Sequence, residues 1–314
     1  MMGFGELGER GHDEPLTVSR VPSAGWGRPA IERRAMSERK VWLITGASRG
    51  LGAALADAAL HAGHGVVATG RRPSEVAARV APSDRLLTVR LDVTNDADAS
   101  AAADAAVERF GRIDVLVNNA GESFKGYFEE MSPAQVSRQL AVNLIGPMNV
   151  TRAVLPVMRA QRSGHVISIS SGAGLMGFEY SSVYAASKAG VEGWMGALAA
   201  EVEPFGINTT IVNPGFFRTG LASPESLVWP DVAIEDYAER SAAQRQWWSA
   251  QDGTQTGDPD KLAAALLTIA DEHPPPRRLI AGADVIALAR RKIAQLDEEI
   301  ESHLGLSESL TFDD

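Results

Sequence analysis

From residue 40 onward the hydrophobic positions fall into short continuous runs separated by longer stretches of helical period. The runs are residues 41–45, 66–69, 86–91, 113–118, 166–170 and 207–212. Nearly unbroken apolar runs of this length fit strands covered on both faces, whereas a half-exposed strand alternates. Between the first two runs, Leu51, Leu55, Ala58 and Ala59 recur at helical spacing and predict a helix over 51–61. An Ala-rich helix is predicted over 97–110, and a long helical region over 134–159, interrupted at Gly146-Pro147. A further helix over 183–203 stops at Pro204. Strands alternating with helices imply parallel pairing through right-handed crossovers, hence an α/β fold with a doubly wound parallel sheet.

The alternation fails in two places. Residues 216–257 carry Phe216, Phe217, Trp229, Trp247 and Trp248 among prolines and charges. This composition is too aromatic for a solvated linker, and predicts a lid inserted into the domain. Afterwards a helix is predicted over 258–272, a last strand at Leu279-Ile280, an amphipathic helix over 284–303 and a polar tail over 306–314. Residues 1–38 hold six Gly and three Pro and no sustained apolar period. They read as a flexible tail, or as an upstream extension of a protein starting at Met36. An ordered arm docking on another subunit is the alternative. The predicted organisation is one dinucleotide-binding catalytic domain over 39–305, including the lid.

Composition narrows the classes. The 314 residues are 45% hydrophobic and 22% charged, which excludes a disordered chain, a collagen and a coiled coil. Thirty basic against forty acidic residues give a net charge of -10, so nucleic acid is not expected as a partner. The absence of cysteine excludes disulfides and thiol chemistry and fits a cytoplasmic enzyme. No run of about 18 apolar residues occurs, so no membrane span is expected. His61 and His64 have no third ligand in view, and no metal site is expected.

Candidate chemistry begins where the first strand meets the first helix, at Thr45-Gly46-Ala47-Ser48-Arg49-Gly50-Leu51-Gly52. Gly46 permits a tight turn, Gly50 lets the backbone approach a pyrophosphate and Gly52 allows close helix–strand packing. The helix N-terminus offers free N–H groups and the positive end of its dipole to phosphate. A cofactor with a free ribose 2′-hydroxyl calls for an acid at the end of the second strand. Gly70 stands there instead, followed by Arg71 and Arg72. A guanidinium suits a 2′-phosphate, and Arg49 lies close enough in the turn to share it, which points to NADP(H).

These motifs, with Asn118-Asn119-Ala120-Gly121, Asn143, Ser171 and Tyr184-x-x-x-Lys188, resemble the short-chain dehydrogenase/reductase family over residues 40–220. The glycine spacing is that of its single-domain branch. The C-terminal part, from Gly257-Asp258-Pro259 onward, more loosely resembles a subgroup near 17β-hydroxysteroid and retinol dehydrogenases. The resemblance implies a Rossmann fold and hydride transfer between a nicotinamide cofactor and a carbonyl or alcohol. It implies that Ser171 holds the substrate oxygen, and that Asn143 breaks its helix and holds a water linking Lys188 to solvent. It further implies that Asp92 contacts adenine, Asn118 ties neighbouring strands, and Asn119, Ala120 and Gly121 approach the ribose. Pro214, Gly215 and Thr219 are implied to clamp the nicotinamide. A homodimer or homotetramer, paired through helices 134–160 and 183–203, is the family's habit.

Tyr184 and Lys188 also stand on their own chemistry. Residues four apart share a helix face, so the ammonium is expected beside the phenol. A phenol has an ordinary pKa near ~10, and a neighbouring cation lowers it toward working pH. Tyr184 is then a general acid for ketone reduction and a general base for alcohol oxidation. For the substrate pocket, Leu175, Met176, Phe178, Tyr180 and Phe216 are candidate walls, with Trp229, Trp247 and Trp248 either lining it or packing elsewhere. Such walls suit a small-molecule hydrophobic ketone, aldehyde or alcohol. Glu122 at the pocket mouth would favour a polar or cationic substrate group. Two rivals remain: a nucleotide-sensing binding protein without turnover, and an NAD(H)-dependent member of the same family.

Overall fold

The computed structural model describes residues 39–312. The expected tail over 1–38 therefore lies outside the described residues. The strands are β1 (Val41–Ile44), β2 (Gly65–Gly70), β3 (Leu86–Arg90), β4 (Val115–Asn118), β5 (Ser123–Phe124), β6 (Gly164–Ile169), β7 (Ile207–Pro214), β8 (Leu227–Val228) and β9 (Arg278–Ala281). Seven of them form one sheet in the order β3-β2-β1-β4-β6-β7-β9, every pair parallel. β1, β2 and β4 are buried along their whole length, which is why their sequences read as unbroken apolar runs.

The helices on the main body are α1 (Gly50–His61), α2 (Pro73–Arg79), α3 (Asp96–Phe110), α4 (Pro133–Leu140), α5 (Gly146–Gln161), α6 (Gly172–Leu175) and α7 (Ser182–Val202). They are followed by α8 (Ala238–Ser249), α9 (Pro259–Ala270), α10 (Ala283–Ser302) and α11 (Leu304–Glu308). α1 and α9 cover one face of the sheet, with Leu55, Ala59, Leu262 and Leu266 against Ile44, Val66 and Val117. α3, α5 and α7 cover the other, with Ala102, Val154 and Met195 against Leu43, Leu116 and Val166. The chain starts at the middle strand, runs out to β3 and returns to β4, so the loops after β1 and β4 diverge and open a crevice. In doubly wound sheets ligands bind at that switch point.

Several expectations are refined. The long helical region is interrupted where Gly146-Pro147 signalled it, by a π turn over Ala141–Ile145. As a whole, Pro133–Gln161 has the length and hydropathy of a membrane-crossing helix, although a count of consecutive apolar residues predicted none. Here it lies on the sheet, with Val150, Val154 and Met158 fully buried. The lid is closed at its neck by Gly257, which pairs with the Phe216–Arg218 backbone through N–H···O bonds of 2.9 Å in both directions. β8 within it pairs with β5, a strand too short to show in the hydrophobic pattern. The expected polar tail begins inside a helix, since α11 runs to Glu308.

Candidate active site

The C-terminal ends of β1, β2, β4, β6 and β7 open into one cavity of about 1050 Å³, roofed by the lid. At one end lies the glycine turn, with Gly46, Ser48, Arg49, Gly50 and Leu51 on the wall. Gly50 has φ +54°, and a Cβ there would overlap the Thr219 carbonyl. Gly52 stands behind the wall, where a Cβ would meet the Gly46 carbonyl and the Asn119 amide. It is thus the point of closest contact between α1 and the turn. The Asn119 side chain donates to Thr45 O at 2.8 Å and Gly46 O at 3.2 Å, while the Thr45 hydroxyl accepts from the Asn119 and Ala120 amides. Ala120 and Gly121 also line the cavity. Among the described residues no side chain caps the N-terminus of α1, whose first residues, Gly50 and Leu51, line the cavity.

Beyond the end of β2 the arginines and Asp92 have the following contacts. Arg71 is 66% exposed, with its guanidinium 3.7 Å from Glu122. Arg72 turns out to Glu75 and does not line the cavity. Arg49 reaches across to the Ser226 hydroxyl on the lid at 2.7 Å. Asp92 lines the wall; burial works against its charge, but the Thr94 hydrogen bonds and the charges of Arg71 and Arg90 outweigh it and hold the carboxyl below its ordinary range. Asn118 donates to Thr151 at 2.9 Å and Ser168 at 3.1 Å, and so ties β4 to α5 and β6.

At the other end Ser171, Tyr184 and Lys188 meet. Ser171 ends the β6 segment, its carbonyl held by Asn213 at 3.0 Å and its hydroxyl accepting from the Ala173 amide at 3.1 Å. The same hydroxyl is hydrogen-bonded to the Tyr184 phenol. Lys188, one turn on, donates to Ile169 O at 2.8 Å and lies 5.7 Å from the Tyr184 ring centre. Burial pushes its ammonium down to about 8, against the raising influence of Glu192. In the chain alone the balance differs from the expectation that Lys188, joined by the oxidised nicotinamide, lowers the Tyr184 pKa. Burial dominates and raises it, with only the Ser171 hydrogen bond acting the other way. Pro214, Gly215 and Phe216 also line the cavity, while Thr219 lies against Gly50 of the glycine turn.

Residues 40–227 match the family described as short chain dehydrogenase. The chain is similar to the oxidoreductase BOA17 of Botryotinia fuckeliana, at 37% identity over 85% of this chain and 98% of the relative. It is 39% identical to the 3-ketodihydrosphingosine reductase of Bacteroides thetaiotaomicron, over 77% of this chain and 88% of the relative. A solved short-chain dehydrogenase from Streptomyces avermitilis superposes with TM-score 0.80 at 38% identity, over 88% of this chain and all of that one. The chain belongs to the short-chain dehydrogenase/reductase family. It is accordingly an oxidoreductase, of a family that works with a nicotinamide cofactor.

Against that family pattern, Asn143 and Met176 join Gly52 and Arg72 outside the short-chain dehydrogenase's cavity. Asn143 sits behind the wall on the π turn. Its side chain accepts from the Glu122 amide and donates to the Glu122 carbonyl, both at 2.9 Å, and reaches Ser187 at 3.2 Å. Met176, expected in the substrate pocket, is corrected: past the α6 turn its sulfur faces Arg291 on α10. Leu175 and Tyr180 likewise leave Phe178 as the wall of that loop. Trp247 and Trp248 line the cavity and Trp229 does not. Glu122 is bridged by Arg138 through two contacts of 2.9 Å, so its charge is not free for a cationic substrate.

Sequence reasoning missed Lys125. It follows β5, is 3% exposed and lines the cavity beside Tyr184. Its one signal was a lysine lodged between Phe124 and Gly126, with Tyr127 and Phe128 beyond.

Proposed function

We propose that this oxidoreductase uses NADP(H) to interconvert a hydrophobic ketone or aldehyde and its alcohol. The observation carrying the reading is the Ser171–Tyr184 hydroxyl pair beside Lys188, at the opposite end of one cavity from an uncapped helix N-terminus. The turn fits a dinucleotide: Ser48, Arg49, Gly50 and Leu51 line the cavity, no side chain caps α1, and Arg71 is exposed with no tight partner.

When bound, the nicotinamide supplies or accepts hydride at the substrate carbon. In reduction, Tyr184 gives its phenolic proton to the carbonyl oxygen. Ser171 donates a second hydrogen bond to the same oxygen and stabilises charge developing there. Lys188 stands as the cation beside the phenolate that remains. Asn143 fixes the Glu122 backbone next to Gly121 and, in this reading, links Lys188 to solvent. Phe178, Phe216, Trp247 and Trp248 shield the reacting atoms from water, which supports an apolar substrate. The bacterial relative named as a ketone reductase supports reduction as the working direction. A homo-oligomer paired through α4–α5 and α7 goes with the reading, supported by Ile145 at 46% exposure on that side.

The deciding experiment is a fluorescence titration with NADPH and NADH side by side. Tighter NADPH binding, lost in Arg71→Ala, is expected. A preference for NADH would transfer the assignment to NAD(H), and binding of neither would remove the enzyme reading.

A further inference from the structure

Lys125 is a buried cation without a counter-ion. Its ammonium donates to the Ser181 hydroxyl at 2.9 Å, and lies 3.6 Å from the Trp248 ring centre and 5.0 Å from that of Tyr184. Among the described residues no carboxylate forms an ion pair with it. The two acids nearest in the wall are already engaged: Glu122 by Arg138, and Glu179 by Tyr127 and Arg240. An ammonium carries three donors, of which Ser181 takes one. Leaving the charge unpaired in an apolar wall is costly, and burial pushes this group down to about 7. A second donor is also orphaned nearby. The Trp248 indole N–H is buried with no acceptor, and this ring is the one the ammonium touches. The two donors come from different segments brought into contact, one from the loop after β5 and one from α8 of the lid.

Building on the oxidoreductase reading above, we propose that Lys125 and Trp248 receive a carboxylate carried by the substrate, so that the substrate is a hydrophobic oxo or hydroxy acid. A carboxylate has two oxygens and can accept from both donors at once. Its single charge matches the single ammonium, whereas a phosphate dianion would leave one charge unmatched in apolar surroundings. The carboxylate lies beside Tyr184, so it is separated from the reacting carbonyl by a few bonds. The apolar body extends toward Phe178, Phe216 and Trp247.

The test has a binding arm and a reaction arm. In the first, the full chain is titrated by tryptophan fluorescence with 4-phenylbutanoate and with 4-phenylbutanamide, which share one apolar body. The acid is expected to bind roughly tenfold or more tighter, as a charge-assisted hydrogen bond allows. The ratio falls to about one in Lys125→Met and persists in Lys125→Arg. Equal binding of acid and amide, binding of neither, or a preference that survives Lys125→Met overturns the proposal. If Lys125→Met does not fold, the wild-type ratio decides alone. In the second arm, NADPH consumption is compared for 4-oxo-4-phenylbutanoate and its methyl ester. The acid-to-ester ratio of kcat/KM is expected to drop about tenfold in Lys125→Met, so that any general loss cancels. If neither ketone turns over, the oxidoreductase reading fails in its substrate, and the binding arm still decides the carboxylate site.

Discussion

At Tyr184 two opposing requirements meet. The phenol must be buried to deliver its proton without competition from water, and burial raises its pKa. In the chain alone only the Ser171 hydrogen bond offsets this. Tyr184→Phe removes the proton and leaves the glycine turn untouched. Turnover is expected to fall by about 10²–10⁴-fold, the range for positioned acid–base groups, with NADPH affinity unchanged. Steady-state kinetics and a cofactor titration read the two effects separately. The pH profile follows from the lysine. The phenol stays protonated through the working range, while Lys188, with a value of about 8, is cationic below that pH and neutral above it. The phenolate left by proton donation loses its cationic neighbour above that point. For a neutral ketone, kcat/KM of reduction is therefore flat below about pH 8 and declines above it. In Lys188→Met that break disappears. An unaltered profile in Lys188→Met would remove the lysine from the chemistry.

At the scale of elements, the cofactor end is set by how closely α1 seats on the turn after β1. A Cβ at Gly52 would lie 2.6 Å from the Asn119 amide nitrogen and overlap the Gly46 carbonyl. Neither can retreat, because Asn119 spans the Thr45 and Gly46 carbonyls. Gly52→Ala is expected to cost about 1–3 kcal/mol as an overpacked contact. In a domain of this size that lowers Tm by roughly 3–10 °C, measured by calorimetry, and NADPH binding weakens with it. This junction was readable in advance because its parts are neighbours in sequence: strand, glycines, helix. The same locality made β1, β2, β4, β6 and β7 and the Tyr184–Lys188 pair legible. α2 was not, since Val76 is its one buried residue and leaves no apolar period. β5 and β8 were not, since each is two residues long. Met176 was misplaced because nearness to Ser171 along the chain does not say which side of α6 a side chain leaves. Lys125 escaped notice because its environment is assembled from three distant segments, its own loop, Ser181 and α8. Such a setting has no signature along the sequence.

At the scale of the whole molecule, a stiff parallel sheet forms the floor of the site and the lid forms its roof, pinned along its middle by the Ser132–Asp231, Gln135–Trp229 and Ser241–Glu130 hydrogen bonds and held nearer its ends by separate contacts. Glu179, on the floor side of the cavity mouth, accepts from Tyr127 at 2.7 Å and pairs with Arg240 of the lid helix α8. Gln244 on the same helix reaches it at 3.5 Å, and Tyr237 stacks on Tyr127 with ring centres 4.6 Å apart. Near the cofactor end the join is the Arg49–Ser226 hydrogen bond. These anchors are separable, so the lid is expected to loosen at one end without the other. Exposed ion pairs are weak, so Glu179→Ala should lower the closed-to-open ratio by no more than a few fold. The expected result is a KM for the carbonyl substrate raised by no more than that factor, with the NADPH Kd within about twofold, because the glycine turn keeps its own tether. Hydrogen exchange of the α8 amides should quicken in the same variant. Arg49→Ala should do the reverse, weakening NADPH with little effect on α8 exchange. Exchange and KM that ignore Glu179→Ala would mean that the lid is held by its other contacts, the Ser132–Asp231, Gln135–Trp229 and Ser241–Glu130 hydrogen bonds and the packing of Phe216 against Trp247 and Trp248, and that the charges at the mouth only decorate it.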